Sequence, residues 1–267
     1  MTPRFDAQLG LGLVGIGRAW GAHAAPPPES EARALLETAF RLGVRVYDTA
    51  PAYGASERIL GAFLRSLTRE EREGIFIATK FGEHWNDDGT TRVDHSYEAL
   101  MRSLDRSVEL LRDIDLLQVH KASRAALEND DLRWALEAAQ AMDIPQFGAS
   151  VSDVEAGRLA IGMGFHWLQF PYNQQNTALS ELLPEARAAD TRLMTNRPLA
   201  TGAVLADKSP DARAAAARAA YAFVLEGNPD GVVLGGTTSP AHLEDNLKAF
   251  AAALGGDGGE RAARKKP

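Results

Sequence analysis

Cysteine is absent from all 267 residues, which excludes disulfides, thiolate nucleophiles and cysteine-ligated zinc or iron–sulfur sites. The six histidines, His23, His84, His95, His120, His166 and His242, show no H-x-H or H-E-x-x-H spacing. A metal-dependent hydrolase therefore has no sequence support, and no metal is expected. Basic charge is also short, with a net charge of −7. Phosphate-backbone binding needs a concentrated basic surface, so nucleic acid is not an expected partner. The one basic cluster, Arg261, Arg264, Lys265 and Lys266, follows a Gly-Gly-Asp-Gly-Gly run and reads as a solvated, disordered end. No apolar run is long enough to span a bilayer, and the N-terminus lacks a basic stretch followed by an apolar one and a cleavage site. The expectation is a cytoplasmic protein with no membrane partner.

What is present is an alternation. Short apolar runs, as strands buried on both faces require, fall at Leu9–Val14, Val44–Asp48, Ile75–Thr79, Asp115–Val119, Pro145–Ala149, His166–Phe170, Thr191–Thr195 and Gly231–Leu234. Helical patterns lie between them, near Glu31–Leu42, Ser56–Leu67, Ser96–Leu111, Asp131–Met142, Asp153–Gly162, Leu179–Ala189, Asp211–Leu225 and Pro240–Leu254. Start and stop signals support these bounds. Ser152 and Glu155 read as a capping box, and Ser209-Pro210 and Ser239-Pro240 put a capping hydroxyl before a first-turn proline. Gly43 ends the first helix. Eight βα units in strict order predict a parallel sheet closed into a single-domain α/β (β/α)₈ TIM barrel over 1–254, with 255–267 a disordered tail.

Gly10-Leu-Gly12-Leu-Val-Gly15 matches the G-x-G-x-x-G dinucleotide fingerprint. That fingerprint needs a helix starting within it, whereas the chain continues to Ala-Ala-Pro-Pro-Pro. A glycine-rich first barrel strand fits better.

The informative residues follow strands, where barrel enzymes place their chemistry. Strand two leads into Asp48-Thr-Ala-Pro-Ala-Tyr53-Gly, strand three into Ala-Thr-Lys80, and strand four into Asp-Leu-Leu-Gln-Val-His120. Singly, each has a plain explanation: Asp48 as a turn cap, Tyr53 as a rim residue, Lys80 as a solvated charge, His120 as a hydrogen-bond filler. Together they supply a tunable acid, an ammonium–carboxylate pair that lowers its pKa, and a donor for a developing oxyanion. That set suits carbonyl reduction and the reverse oxidation.

The segment Asp48-Thr-Ala-Pro-Ala-Tyr53-Gly-Ala-Ser-Glu, with Ala-Thr-Lys80 and Asp-Leu-Leu-Gln-Val-His120 following in order, resembles the signature of the aldo/keto reductase family, from about Leu9 to Leu254. The resemblance implies that Tyr53 is the general acid, that Lys80 and Asp48 tune it, and that His120 polarises the carbonyl. It also implies an extended nicotinamide dinucleotide across the barrel top, NADP(H) in preference to NAD(H). Gly12, Leu13 and Asp48 would line its site. Ser150 and Gln169 would hold the carboxamide, although Val151 stands where the family usually has Asn. Asn196, Arg197, Pro198, Leu199 and Gly202 would form the loop at the pyrophosphate. Asn196 replaces the aromatic that stacks on the nicotinamide in many relatives. Gly236, Thr237, Thr238 and His242 would take the 2′-phosphate, though neither Gly236 nor His242 brings a permanent charge, and Asp245 with Asn246 would meet the adenine. Read in isolation, Gly-Gly-Thr-Thr-Ser-Pro is equally an ordinary loop and cap.

Trp20 and Trp85, in loops after strands one and three, read either as an aromatic substrate wall or as core covers. Lys121 is an anion contact or a solvated charge. The leading expectation is an oxidoreductase acting on a small-molecule carbonyl or alcohol. The alternative is a cofactor-binding regulatory subunit on the same fold with vestigial turnover. Neither the particular substrate nor the oligomeric state is readable.

Overall fold

Eight parallel strands close into a ring in the computed structural model, which describes residues 7–21 and 25–255. They are Gln8–Gly12, Val46–Asp48, Phe76–Phe81, Leu116–Ala122, Phe147–Val151, Trp167–Pro171, Arg192–Asn196 and Val232–Gly236. Each pairs with its neighbour in order, and the eighth pairs with the first from Gln8↔Val232 to Gly12↔Gly236, completing the (β/α)₈ barrel. The main outer helices are Glu29–Arg41, Ser56–Arg65, Tyr97–Leu111, Asp130–Ala141, Val154–Gly162, Leu182–Ala188, Pro210–Gly227 and Pro240–Ala253. All sixteen elements fall within three residues of the positions read from the sequence. The expected tail lies, beyond Gly255, outside the described residues, as does His23.

The period of two along each strand sorts the residues. Val46, Phe76, Ala78, Leu116, Trp167, Met194, Val232 and Leu234 form a separate buried cluster that fills the barrel. Phe76 and Trp167 meet there with ring centroids 5.6 Å apart. The alternate residues Tyr47, Ile77, Leu117, Val119, Leu168, Phe170 and Val233 join the larger core against the helices. Two positions along the inward face from each apolar residue, the character changes: Val46 gives way to Asp48, Ala78 to Lys80, Leu116 to Gln118, Trp167 to Gln169 and Met194 to Asn196. The lower interior is dry packing and the upper interior is polar. Gly10 belongs to the packing, since a Cβ there would meet Leu234 and Val232 at 3.0 Å. The glycine motif is thus strand plus a single helical turn, Val14–Gly17, with no long helix behind it.

Short elements escaped sequence reading because three to six residues show too little periodicity. These are the antiparallel hairpin Glu83–Trp85 with Thr91–Val93, the helices Arg69–Glu73 and Arg124–Leu127, and the 3₁₀ turns Pro51–Tyr53 and Ala200–Leu205. Trp85 therefore sits on a hairpin strand rather than in a loop. The Ser152–Glu155 capping box is also corrected. Asp153 is the cap, its carboxylate accepting from Ala156 N–H at 2.8 Å, while Glu155 pairs with Arg124 at 2.6 Å. A carboxylate at the N-terminus gains from the helix dipole as well as from the hydrogen bond. Ser209 and Ser239 do cap their helices, and Gly43 takes the left-handed conformation at φ 89°.

Asp153→Ala should cost about 1 kcal/mol of stability in urea unfolding, whereas Ser152→Ala should cost under about 0.5 kcal/mol. The reverse order would restore Ser152 as the cap.

Candidate active site

One carboxylate gathers the top of the barrel. Lys80 Nζ donates to Asp48 Oδ1 and Oδ2, each at 2.7 Å, and to the Thr49 carbonyl at 2.9 Å. Gln118 Nε2 and Gln169 Nε2 each donate to Asp48 Oδ2 at 3.1 Å. Asp48 and Lys80 are almost wholly buried, at 3% and 1% exposure. Strands two, three, four and six are thereby tied through a single side chain. Tyr53 lies directly above, with Lys80 Nζ 4.9 Å from its ring centroid. The His120 ring meets Tyr53 edge to face at 5.8 Å. Asp48, Tyr53, Lys80 and His120 therefore do converge.

The charges act on one another. Burial pushes the Tyr53 phenol above its ordinary value of 10, and the Lys80 ammonium offsets only part of this. The expectation that Lys80 would leave a net lowering is thus corrected: burial outweighs it, and Tyr53 is a phenol at neutral pH. Burial alone would depress Lys80, but the Asp48 carboxylate holds it charged, with a pKa above the usual 10.5. His120 is pushed well below 6.5, by burial first and then by Lys80, Lys121 and Arg18, and is a neutral imidazole. Its Nδ1 lies 3.2 Å from Glu83 Oε2 but lacks the alignment of a hydrogen bond.

Backbone geometry aims these groups. Tyr53 ends the 3₁₀ turn Pro51–Tyr53, and Gly54 follows at φ 60°. Ala55 N–H donates to the Gly17 carbonyl at 3.1 Å. A Cβ on Gly17 would collide with the Tyr53 carbonyl and the Ser56 amide, so only glycine permits this approach. The pairing of strand four shifts register between Val119 and Ala122, and Lys121 there has φ 52°. Such irregularities re-aim side chains at active sites. Glu57, from the signature segment, lies beneath the site, accepting from Thr79 at 2.6 Å and Ser107 at 2.8 Å.

A cleft of about 1450 Å³ opens over this centre. Such a volume exceeds the roughly 300–1,000 Å³ of ordinary small-ligand pockets and suits a dinucleotide plus a substrate. Every residue expected at the cofactor lines it: Gly12, Leu13 and Asp48 near the first strands; Ser150, Gln169 and Asn196 through Leu199 with Gly202 along one wall; Gly236 through Thr238, His242, Asp245 and Asn246 at the far end. Trp20 also lines it, but Lys80 lies beneath and Trp85 is outside the lining. The lining fits a nicotinamide dinucleotide: Asn196, one of its residues, carries a buried Oδ1 acceptor with no partner among the described residues. The Gln169 amide nitrogen is engaged by Asp48, which leaves its carbonyl oxygen as the end for a carboxamide.

Several contributors were not foreseen. Gln118 sits inside a strand read only for the residue at its end, and Glu83 sits on the hairpin strand that the sequence did not show. Arg18 follows the misleading glycine motif. Arg213, Arg218 and Lys248 line the cleft from the last two helices; lying on two helices, and not at i,i+3 or i,i+4 spacing within one, they left no shared face to read in the sequence. Among the described residues, no group of three or more His, Asp or Glu converges as if for a metal, and no helix is long and apolar enough to cross a membrane.

A (β/α)₈ barrel with a buried ammonium–carboxylate pair, a phenol and an imidazole at the C-terminal mouth defines a class of barrel enzyme. The aldo/keto reductase family profile matches residues 8–219, and the chain belongs to that family of oxidoreductases. A structure from Pseudomonas aeruginosa described as an aldo-keto reductase is 30% identical, with a TM-score of 0.76 over 93% of this chain and 91% of that one. An aldo-keto reductase from Klebsiella pneumoniae in complex with NADPH is 22% identical, with a TM-score of 0.70 over 94% of this chain and 90% of that one. L-galactose dehydrogenase of Arabidopsis thaliana is 32% identical over 126 residues, 46% of this chain and 36% of that protein. The match spans between 36% and 43% of the length of this and two further curated relatives.

Gly17→Ala should destabilise the fold by about 2 kcal/mol or more, because the Tyr53 turn must move away. Gly162→Ala, where a Cβ meets nothing within 4 Å, serves as the control. Equal urea midpoints for the two variants would show that the close approach is not a constraint.

Proposed function

We propose that the protein is a carbonyl reductase, or the equivalent alcohol dehydrogenase, using NADP(H) in preference to NAD(H). The observation that carries this reading is Tyr53, set between the Lys80–Asp48 pair and the neutral His120 at the mouth of a dinucleotide-sized cleft. When bound, the cofactor supplies or accepts the hydride. Tyr53, kept as a phenol by burial, gives its proton to the carbonyl oxygen and recovers it in the reverse direction. Lys80 stabilises the phenolate left behind, and Asp48 keeps the ammonium in place. His120 adds a neutral N–H donor to the same oxygen and orients the carbonyl.

The cofactor preference rests on charge. Gly236 and His242 bring no permanent cation, but Arg213, Arg218 and Lys248 line the same cleft from the helices Pro210–Gly227 and Pro240–Ala253. With Thr237, Thr238 and the N-terminus of helix Pro240–Ala253, they suit a 2′-phosphate. The Klebsiella pneumoniae protein carries NADPH on the same fold. Asp245 and Asn246 stand where an adenine would end.

Loss of NADPH absorbance with a reactive aromatic aldehyde, repeated with NADH, tests this reading. Tyr53→Phe should lower kcat by roughly 10²–10⁴-fold while NADPH still binds; near-normal turnover would remove Tyr53 from the mechanism. Tight NADPH binding without turnover of any carbonyl would instead support a regulatory subunit.

The pH dependence carries a sign. Reduction needs the phenol, so its rate should hold through neutral pH and fall only as pH rises through the elevated Tyr53 pKa. Lys80→Met removes a charge that lowers that pKa. The alkaline limb of reduction should therefore move to higher pH, and alcohol oxidation near pH 7 should weaken. An unshifted or downshifted limb would contradict the role of Lys80, with circular dichroism checking that the variant is folded.

A further inference from the structure

Among the described residues, Arg18 is a cation without a counter-ion beside Tyr53. Its guanidinium carbon lies 5.7 Å from the Tyr53 ring centroid, 5.6 Å from Trp20 and 5.7 Å from Trp85. Its Nε is buried with no hydrogen-bond partner. No carboxylate pairs with it among the described residues. The nearby acids have other partners, Asp48 with Lys80 and Glu83 accepting from Thr91 Oγ1 at 2.9 Å. A second cation adds to the excess: the Arg197 guanidinium lies 5.4 Å from the same Trp20 ring. Lys121, directly after His120, also lines the cleft. In a chain of net charge −7, the neighbourhood of Tyr53 is locally positive.

Leaving a guanidinium N–H buried and unmatched costs free energy, and cation–π contacts offset only part of that cost. The arrangement also explains why Trp20 and Trp85, both 36% exposed, stand at the surface. Both rings lie within cation–π distance of the guanidinium carbon. The Tyr53 phenol and the His120 imidazole both register the Arg18 charge, each shifted downward by it.

We propose that Arg18 anchors an oxyanion on the substrate, so that the substrate class is a carbonyl compound bearing a carboxylate or phosphate close to its reacting carbon. The guanidinium fork matches either group. Trp20 and Trp85 hold the fork, and Lys121 and Arg197 favour entry of an anion. This inference rests on the carbonyl reductase reading and narrows it. It also assigns Trp20 and Trp85 to shaping the anion site.

The test compares isosteric pairs with NADPH: 4-carboxybenzaldehyde against methyl 4-formylbenzoate, and glyceraldehyde 3-phosphate against glyceraldehyde. At least one charged member should exceed its neutral partner in kcat/KM by about tenfold or more, and the pair that responds identifies carboxylate or phosphate. In Arg18→Met the ratio should fall toward one, and Arg18→Lys should keep part of it. The ratio is the readout because Arg18 also acts on Tyr53, which affects both members of a pair alike. A ratio at or below one in both wild-type pairs overturns the proposal, and so does an Arg18→Met ratio equal to wild type. A loss of NADPH affinity in Arg18→Met with the ratio intact would also overturn it, assigning Arg18 to the cofactor.

Binding without turnover separates this inference from the reductase reading. Benzoate or inorganic phosphate should quench tryptophan fluorescence saturably in wild type and not in Arg18→Met. Quenching without turnover of any carbonyl keeps the anion site and removes the reductase reading. Absence of quenching by both probes overturns the anion site, whatever the turnover of neutral aldehydes.

Discussion

The Asp48 carboxylate is the constraint on which the rest of the site depends. It accepts from Lys80, Gln118 and Gln169, side chains delivered by three different strands. A buried carboxylate or a buried ammonium alone would be strongly unfavourable, and removing either partner of such a pair typically costs about 3–5 kcal/mol. The pair is therefore held together by the penalty of separating it. That rigidity places the Lys80 ammonium against the underside of Tyr53 and keeps it charged in a dry interior.

The barrel makes this possible by dividing its inside into two zones. Below, Phe76, Trp167, Met194 and their neighbours exclude water. Above, the same strands turn polar within one inward step. The division also explains why Tyr53 is not simply lowered by Lys80. The interior that strengthens the attraction between ammonium and phenolate also penalises the phenolate itself, and the penalty is larger. The result is a buried phenol that keeps its proton at neutral pH, with an ammonium beside its ring.

Most of the fold was legible because a parallel strand buried on both faces is a short apolar run, and eight of them in alternation with helices allow few other architectures. The site was legible where a polar residue directly follows such a run, as with Asp48, Lys80 and His120. Gln118 was less visible because it sits inside a strand, where a buried amide looks like any interruption. Gly17 was invisible as a constraint, since only the approach of the Tyr53 carbonyl in three dimensions requires it. Asp153 outcompeted Ser152 for the helix cap by one residue, a difference that depends on where the first helical turn begins. Arg18 carried no motif, and its meaning lies in what surrounds it and what does not.

The most direct measurement is the fate of an isotope. The protein would be incubated with NADPH deuterated at the transferable position of nicotinamide C4 and an aromatic aldehyde, and the product alcohol analysed by NMR. Deuterium at the former carbonyl carbon, delivered to one face, is the result predicted by hydride transfer in the Tyr53 site. Alcohol formed without deuterium at that carbon would contradict it.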